Sequence, residues 1–133
     1  MNQKTSPKNG LERVWAAFFY SLDGLRYAFS NETAFRQELF VISVSTIVLF
    51  FLPFSFVCKC LLWLATINVL VVEILNSAIE AVVDLASPEF HILAKHAKNL
   101  GSSAVLMSIS VAVVLWCAAI YYYLLKNIIS ILS

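Results

Sequence analysis

The residues of this chain that could do chemistry are grouped between positions 72 and 84, inside an apolar run long enough to cross a membrane. The polar side chains of this segment are Glu73, Asn76, Ser77, Glu80 and Asp84. An α-helix turns about 100° per residue, so all five fall within a sector of about 100°. Ionisable groups at membrane depth are costly and usually functional. We therefore expect this polar stripe to face protein or water rather than lipid.

The composition indicates a small helical membrane protein. Of the 133 residues, 61% are hydrophobic and 13% are charged, whereas soluble domains are about half apolar and a quarter charged. Three Gly and three Pro leave few turns, so the helices should be long. The net charge of +1 and the lack of a basic patch with interleaved aromatic residues give no indication of a nucleic acid partner.

Four helices are predicted to position the stripe, in a single membrane domain over residues 1–133. Residues 1–9 are interpreted as a disordered tail, and apolar residues spaced by three and four over 11–29 predict an amphipathic helix in the membrane interface. Packing of that helix on its own bundle is an equally good and compatible interpretation. Transmembrane helices are predicted over about 33–56, 59–85 and 100–126. The predicted fold class is an all-α membrane protein.

The distribution of lysine and arginine predicts the orientation of the spans. Five of these residues precede Leu39, where the apolar run of the first span begins, and Lys95 and Lys98 lie between the apolar runs of the second and the third. The first connection contains only Lys59, and the C-terminal tail contains only Lys126. Because cytoplasmic loops carry the excess of positive residues, the N-terminus and the connection after the second span should be cytoplasmic.

Antiparallel spans would bring polar groups together at one depth. Glu32 opens the first span, Glu80 lies near the end of the second, and Lys98 and Ser102 begin the third, all at the cytoplasmic side. Mg²⁺ is usually held by one or two carboxylates together with substrate phosphates. Glu32 and Glu80 are therefore candidate metal ligands, and Lys98 is a candidate phosphate contact. Glu73, roughly 10 Å deeper along its helix, could accept a proton from a lipid hydroxyl.

Structural interpretations of the same residues stay open. Glu32 could complement a helix N-terminus, and Asn76 could join two helices through hydrogen bonds. Asp84 is interpreted as the point where the second span leaves the membrane. The pair of Glu73 and Glu80, seven residues apart on one face, favours a functional role.

Three motifs resemble those of the prokaryotic diacylglycerol kinase family, which are small trimeric integral membrane lipid kinases. The motifs are NETAFRQE at residues 31–38, VEILNSAIEAVVD at 72–84 and AKNLGSSAV at 97–105. The resemblance covers roughly residues 11–120 and includes an amphipathic first helix. It implies transfer of a phosphoryl group from ATP, with Mg²⁺, to the free hydroxyl of diacylglycerol. It also implies a homotrimer in the bacterial inner membrane, with each site built from neighbouring subunits.

The resemblance implies roles for single residues as well. Glu73 matches the proposed catalytic base, and Glu32 and Glu80 match the residues that hold the metal. Residues matching the nucleotide site are Arg13, Tyr20, Glu32, Glu80, Glu89, His91, Lys98 and Asn99. Residues matching the lipid side are Arg13, Ala34, Phe35, Arg36, Gln37, Glu38, Asn76, Ser102 and Trp116. The family usually has Asp where this chain has Asn99, so one charge is lost there.

Two other functions compete with this hypothesis. Undecaprenol kinase belongs to the same family and uses the same chemistry, although residues 35–38 look more like the diacylglycerol branch. A small oligomeric proton-coupled transporter would also carry glutamates within its spans. That transporter would have carboxylates near the middle of the bilayer and would not need Glu32 or Lys98, whereas the polar groups here gather at the cytoplasmic end.

Overall fold

The computed structural model describes residues 10–132, and all regular structure in that range is helical. The helices are α1 (Gly10–Asn31), α2 (Thr33–Phe51), α3 (Phe56–Ala86) and α4 (Ile92–Leu132). The last three are long and apolar enough to cross a membrane. The prediction of an all-α membrane protein with three spans is confirmed. The predicted tail over residues 1–9 lies outside the described residues.

A single residue, Glu32, separates α1 from α2. Its backbone is extended, with φ −102° and ψ 114°. The guanidinium of Arg36 donates to the carbonyl oxygens of Phe29 at 3.0 Å and Ser30 at 3.2 Å, and to Thr33 Oγ1 at 2.9 Å. The last carbonyls of a helix have no partner within the helix. Arg36 therefore closes the end of α1 and joins it to the start of α2.

Large apolar side chains on α1 are exposed, as expected of a helix in the membrane interface. Trp15, Phe18 and Phe19 are each more than half exposed and contact one another through their rings. Aromatic residues on one side of an amphipathic helix are typical of helices that sink into the boundary between headgroups and acyl chains.

The connection between α2 and α3 is short because of Pro53. Leu52, the residue before it, is extended with ψ 138°, as is usual for a residue that precedes proline. Hence α2 ends at Phe51, before the predicted end near residue 56. The hydroxyl of Ser55 accepts from the backbone N–H of Cys58 at 3.3 Å and caps α3. The two helices pack together as an antiparallel pair.

The most extensive packing is between α3 and α4. The buried residues of α3 follow one another at intervals of four and three, as in the contact seam of a coiled coil. They are Leu62, Thr66, Val69, Glu73 and Asn76. The buried residues of α4 are the small side chains Gly101, Ser108 and Ala112. Small residues allow two helix backbones to approach closely within a membrane.

The helix α4 is much longer than its apolar run. It begins at Ile92 rather than near residue 100, because the polar segment that carries Lys95 and Lys98 is helical too. Its 41 residues correspond to about 60 Å, twice the hydrocarbon thickness of a bilayer, which is about 30 Å. The helix therefore extends beyond the hydrocarbon region and carries Lys98 on its N-terminal part.

Candidate active site

Three polar side chains share one face of α3 in its C-terminal half. Glu73 is 6% exposed and Asn76 is 8% exposed, while Glu80 is half-buried. Asn76 Nδ2 donates to Glu80 Oε1 at 3.1 Å. The spacing of four residues makes this contact possible on a helix. Asn76 thereby fixes the orientation of the Glu80 carboxylate.

Two more carboxylates stand beside this face. Glu73 is within electrostatic range of Glu80 and of Glu32, and Glu38 on α2 is within electrostatic range of Glu73. We call Glu32, Glu38, Glu73 and Glu80 the acidic cluster. Like charges gathered at a partly buried position repel one another, and a bound cation or a shared proton relieves that repulsion. The cluster is therefore suited to binding a cation or moving a proton.

Glu32 supplies its carboxylate from the junction between α1 and α2. It occupies the N-cap position of α2, but its side chain makes no capping hydrogen bond. The other role considered for Glu32, complementing the N-terminus of α2 by its charge, needs no hydrogen bond and is compatible with this position. The group remains available to a ligand next to Glu73 and Glu80.

Two buried polar atoms at this site lack a hydrogen-bond partner within residues 10–132. They are Glu38 Oε2 and Asn76 Oδ1. Buried polar atoms in natural proteins almost always have a partner, and an exception calls for a functional explanation. Both exceptions lie in or beside the acidic cluster, which is the expected position for atoms that act on a bound molecule.

Lys98 brings a positive charge to the cluster. Its ammonium forms an ion pair with Asp84 and is within electrostatic range of Glu80. The predicted phosphate contact therefore lies beside the predicted metal ligand. The sequence interpretation missed the role of Asp84 as partner of Lys98. The available signal was its spacing of four residues from Glu80 on the same polar stripe.

The donor chemistry of the cluster fits Mg²⁺. Within residues 10–132, no three His, Cys, Asp or Glu side chains are grouped as a complete metal-binding set. Mg²⁺ does not require one, because it keeps several waters and is usually held by one or two carboxylates and substrate phosphates. Glu32 and Glu80 offer only oxygen donors, the type that Mg²⁺ prefers.

A largely apolar cavity of about 520 Å³ lies between α2, α3 and α4. Of the residues predicted for the lipid side, Gln37, Glu38 and Trp116 line it. Trp116 Nε1 donates to Thr66 Oγ1 at 3.1 Å, which fixes the indole at the cavity wall. Because Glu38 belongs to both the cavity and the acidic cluster, the two are continuous.

The other residues predicted for the lipid side lie outside this cavity. Phe35 is 4% exposed and packs in the core. Arg36 joins α1 to α2 as described above. Ala34 is exposed in the first turn of α2, and Ser102 is exposed on α4, ten residues after the helix begins. Asn76 belongs to the polar face of α3.

The remaining residues predicted for the nucleotide site are exposed. Arg13 and Tyr20 lie on α1, and Asn99 lies on α4 beside Lys98. Glu89 and His91 belong to the connection between α3 and α4. His91 Nδ1 accepts from the backbone N–H of Leu93 at 3.2 Å, which caps the start of α4.

The fold and the site together define a class, namely small helical membrane proteins with an acidic site next to an apolar cavity. The family model of prokaryotic diacylglycerol kinase matches residues 19–120. The diacylglycerol kinase of Escherichia coli (strain K12) is 44% identical over 112 residues, which cover 84% of this chain and 92% of that protein. The diacylglycerol kinase of Pseudomonas aeruginosa is 42% identical over 109 residues, covering 82% and 89%. That of Helicobacter pylori (strain J99) is 39% identical over 114 residues, covering 85% and 89%.

The chain belongs to the prokaryotic diacylglycerol kinase family. The family resemblance of the three motifs is thereby confirmed, and so is the prediction of a membrane-bound lipid kinase. Kinase chemistry implies ATP as the phosphoryl donor.

Proposed function

We propose that the protein phosphorylates diacylglycerol by moving the γ-phosphoryl group of ATP to the free hydroxyl of the lipid, which gives phosphatidic acid. The observation that carries the proposal is the burial of Glu73 beside Glu80 and Glu32, next to a largely apolar cavity that suits a lipid. A buried acid at this position is expensive to maintain and calls for a function.

Glu73 acts in this proposal as the general base. Its carboxylate accepts the proton of the lipid hydroxyl as the oxygen attacks the γ-phosphorus, and the bond from that phosphorus to the β,γ-bridging oxygen breaks so that ADP leaves. General base catalysis contributes about 10²- to 10⁴-fold to a rate. Glu38, within electrostatic range of Glu73 and at the cavity wall, lies on the side from which the lipid approaches.

Glu32 and Glu80 are the proposed ligands of Mg²⁺. A Mg²⁺ ion held by these two carboxylates would supply positive charge to the phosphates during transfer. Asn76 holds Glu80 in place through its side-chain hydrogen bond, and Lys98 contacts phosphate oxygens near Glu80. Arg13, Tyr20, Glu89, His91 and Asn99 complete the nucleotide site. Ala34, Phe35, Arg36, Gln37, Ser102 and Trp116 contribute to the lipid side.

The proposed setting is a homotrimer in the bacterial inner membrane, with the N-terminus in the cytoplasm. The family resemblance supports the trimer, and the lysines and arginines up to Arg36 and on the N-terminal part of α4 support the orientation. In this arrangement Glu32, Glu80 and Lys98 face the compartment that contains ATP.

The test is a kinase assay on the purified protein in mixed micelles with Mg²⁺ and ATP labelled at the γ-phosphate. Diacylglycerol and undecaprenol are offered in parallel, and the Glu73→Gln variant serves as the control for a contaminating kinase. We expect label in phosphatidic acid. Label in undecaprenyl phosphate instead would assign the protein to the other acceptor, and no labelled lipid in either assay would contradict the proposal.

A further inference from the structure

Gly101 packs directly against Asn76 where α4 crosses the polar face of α3. It is buried in the interface between the two helices. A Cβ atom built on Gly101 would overlap Asn76 Oδ1 and would lie 3.3 Å from Asn76 Cγ. No larger residue fits at position 101 while the Asn76 side chain keeps its place.

The position of the Asn76 amide determines a contact on its other side. The amide group is planar, with the oxygen and the nitrogen on the same carbon. Its oxygen lies against Gly101, and its nitrogen donates to Glu80 Oε1 at 3.1 Å. The oxygen has no hydrogen-bond partner within residues 10–132, so packing against Gly101 keeps the amide in this orientation. If a larger residue at position 101 displaces the oxygen, the rigid amide group turns and its nitrogen moves away from Glu80.

We propose that Gly101 is a positioning residue of the kinase, acting on Glu80 through Asn76. Its missing side chain leaves the space in which the Asn76 amide can orient the Glu80 carboxylate toward the metal. This inference rests on the proposed role of Glu80 as a ligand of Mg²⁺. It adds α4 to the elements that shape the metal site, although α4 supplies no ligand.

The chain offers a matched control for this proposal. Gly24 also lies within a helix, and a Cβ at that position meets nothing within 4 Å. Alanine favours a helix over glycine at both positions. A role limited to helix stability therefore predicts similar behaviour for Gly101→Ala and Gly24→Ala. A positioning role predicts that only Gly101→Ala affects the metal site.

The experiment measures binding of Mn²⁺, a paramagnetic substitute for Mg²⁺, to the full-length protein in micelles together with β,γ-imido ATP. Electron paramagnetic resonance gives the dissociation constant without turnover. Loss of a residue that orients a metal ligand typically weakens metal binding 10- to 100-fold. We expect Gly101→Ala to weaken Mn²⁺ binding about tenfold while the midpoint of thermal unfolding is retained. Gly24→Ala should bind Mn²⁺ as the wild type does.

A double-mutant cycle separates action through Asn76 from general packing. In the Asn76→Ala background the added methyl group has no amide to displace, so Gly101→Ala should cause no further loss of Mn²⁺ affinity. An equal loss in both backgrounds would overturn the proposal, as would equal Mn²⁺ binding by the Gly101→Ala and Gly24→Ala variants.

Glu80→Gln distinguishes this inference from the proposed function. If Glu80→Gln weakens Mn²⁺ binding but Gly101→Ala does not, the positioning role alone is wrong. If Glu80→Gln binds Mn²⁺ as tightly as the wild type, the metal role of Glu80 is wrong and the inference about Gly101 is wrong with it.

Discussion

Polar side chains occur at two levels of the helix bundle, and the two levels differ in how their hydrogen bonds are satisfied. At the paired level, defined by Thr66, Asn68, Ser108 and Trp116, two side-chain hydrogen bonds join α3 to α4. Trp116 Nε1 donates to Thr66 Oγ1 at 3.1 Å, and Asn68 Nδ2 donates to Ser108 Oγ at 3.0 Å. At the acidic cluster, carboxylates lie near one another, and Glu38 Oε2 and Asn76 Oδ1 are buried without a partner in the described chain.

The difference separates polar residues that join helices from polar residues that act on a ligand. Hydrogen bonds between transmembrane helices contribute modestly to stability, about 0.6 kcal/mol on average. An unsatisfied buried polar atom costs about 1–3 kcal/mol, so it weakens the fold unless a ligand completes it. Substitutions at the acidic cluster should therefore change catalysis most, and substitutions in the Asn68–Ser108 pair, which does not line the cavity, should change stability alone.

The largest effect is expected for Glu73→Gln. Glutamine keeps the shape of the side chain but cannot accept the proton of the lipid hydroxyl, so turnover should fall by at least about 100-fold. The initial rate of phosphatidic acid formation in mixed micelles measures the loss, and thermal unfolding checks that the protein remains folded. Asp23→Asn is the control, because this exposed carboxylate pairs with Arg26 on α1, at 3.2 Å. Activity of Glu73→Gln within a few-fold of the wild type would remove Glu73 from the role of base.

The next effect in size is expected for Glu80→Gln. A neutral amide is a much weaker ligand for Mg²⁺ than a carboxylate, so the half-saturating Mg²⁺ concentration should rise about tenfold or more. The rate at saturating Mg²⁺ should recover in part. A titration of activity with Mg²⁺ at fixed ATP measures this shift. An unchanged titration would reassign the Glu80 carboxylate.

A smaller effect is expected for Lys98→Met. The ammonium next to Glu80 is lost, whereas methionine retains most of the length of the side chain, so the KM for ATP should rise several-fold with a smaller change in kcat. Lys95→Met is the matched control, because Lys95 is an exposed lysine on the same helix, near Lys98. Steady-state kinetics with varied ATP measure both variants. Equal KM values for the two variants would contradict a phosphate contact at Lys98.

The smallest effect is expected for Ser108→Ala at the paired level. It removes the acceptor of Asn68, so the free energy of unfolding should fall by about 0.6 kcal/mol with kcat unchanged. Ser110→Ala is the control, because the Ser110 hydroxyl donates to Leu106 O within its own helix at 2.8 Å. Reversible unfolding in mixed micelles measures the difference. If Ser108→Ala lost as much turnover as Glu73→Gln, the two levels would not differ in function and the comparison would be wrong.

The sequence was sufficient to predict the features that follow from helical periodicity and apolar length. The apolar runs predicted three spans, and the intervals between Glu73, Asn76 and Glu80 predicted a shared face. Both predictions depend on residues close together in one helix. Antiparallel spans predicted that Glu32 and Glu80 lie at one depth with Glu73 deeper, and the structure brings both within electrostatic range of Glu73.

The remaining features depend on contacts between helices, which a single sequence does not specify. The ion pair of Lys98 with Asp84 requires the register of α4 against α3. The contact of Gly101 with Asn76 depends on the same register. The helix α4 begins at Ile92, before the predicted span, because hydropathy detects only the apolar part of a helix and the polar turns from Ile92 onward carry no such signal.

The single extended residue between α1 and α2 has a geometric consequence for the carboxylate that it bears. Glu32 is carried by neither helix alone, so any swing of α1 relative to α2 would displace its side chain from Glu73. Arg36 donates hydrogen bonds to two carbonyl oxygens of α1 and to one hydroxyl of α2, on the two sides of Glu32. Arg36 thus fixes the angle between α1 and α2. That angle determines how far the Glu32 carboxylate lies from Glu73.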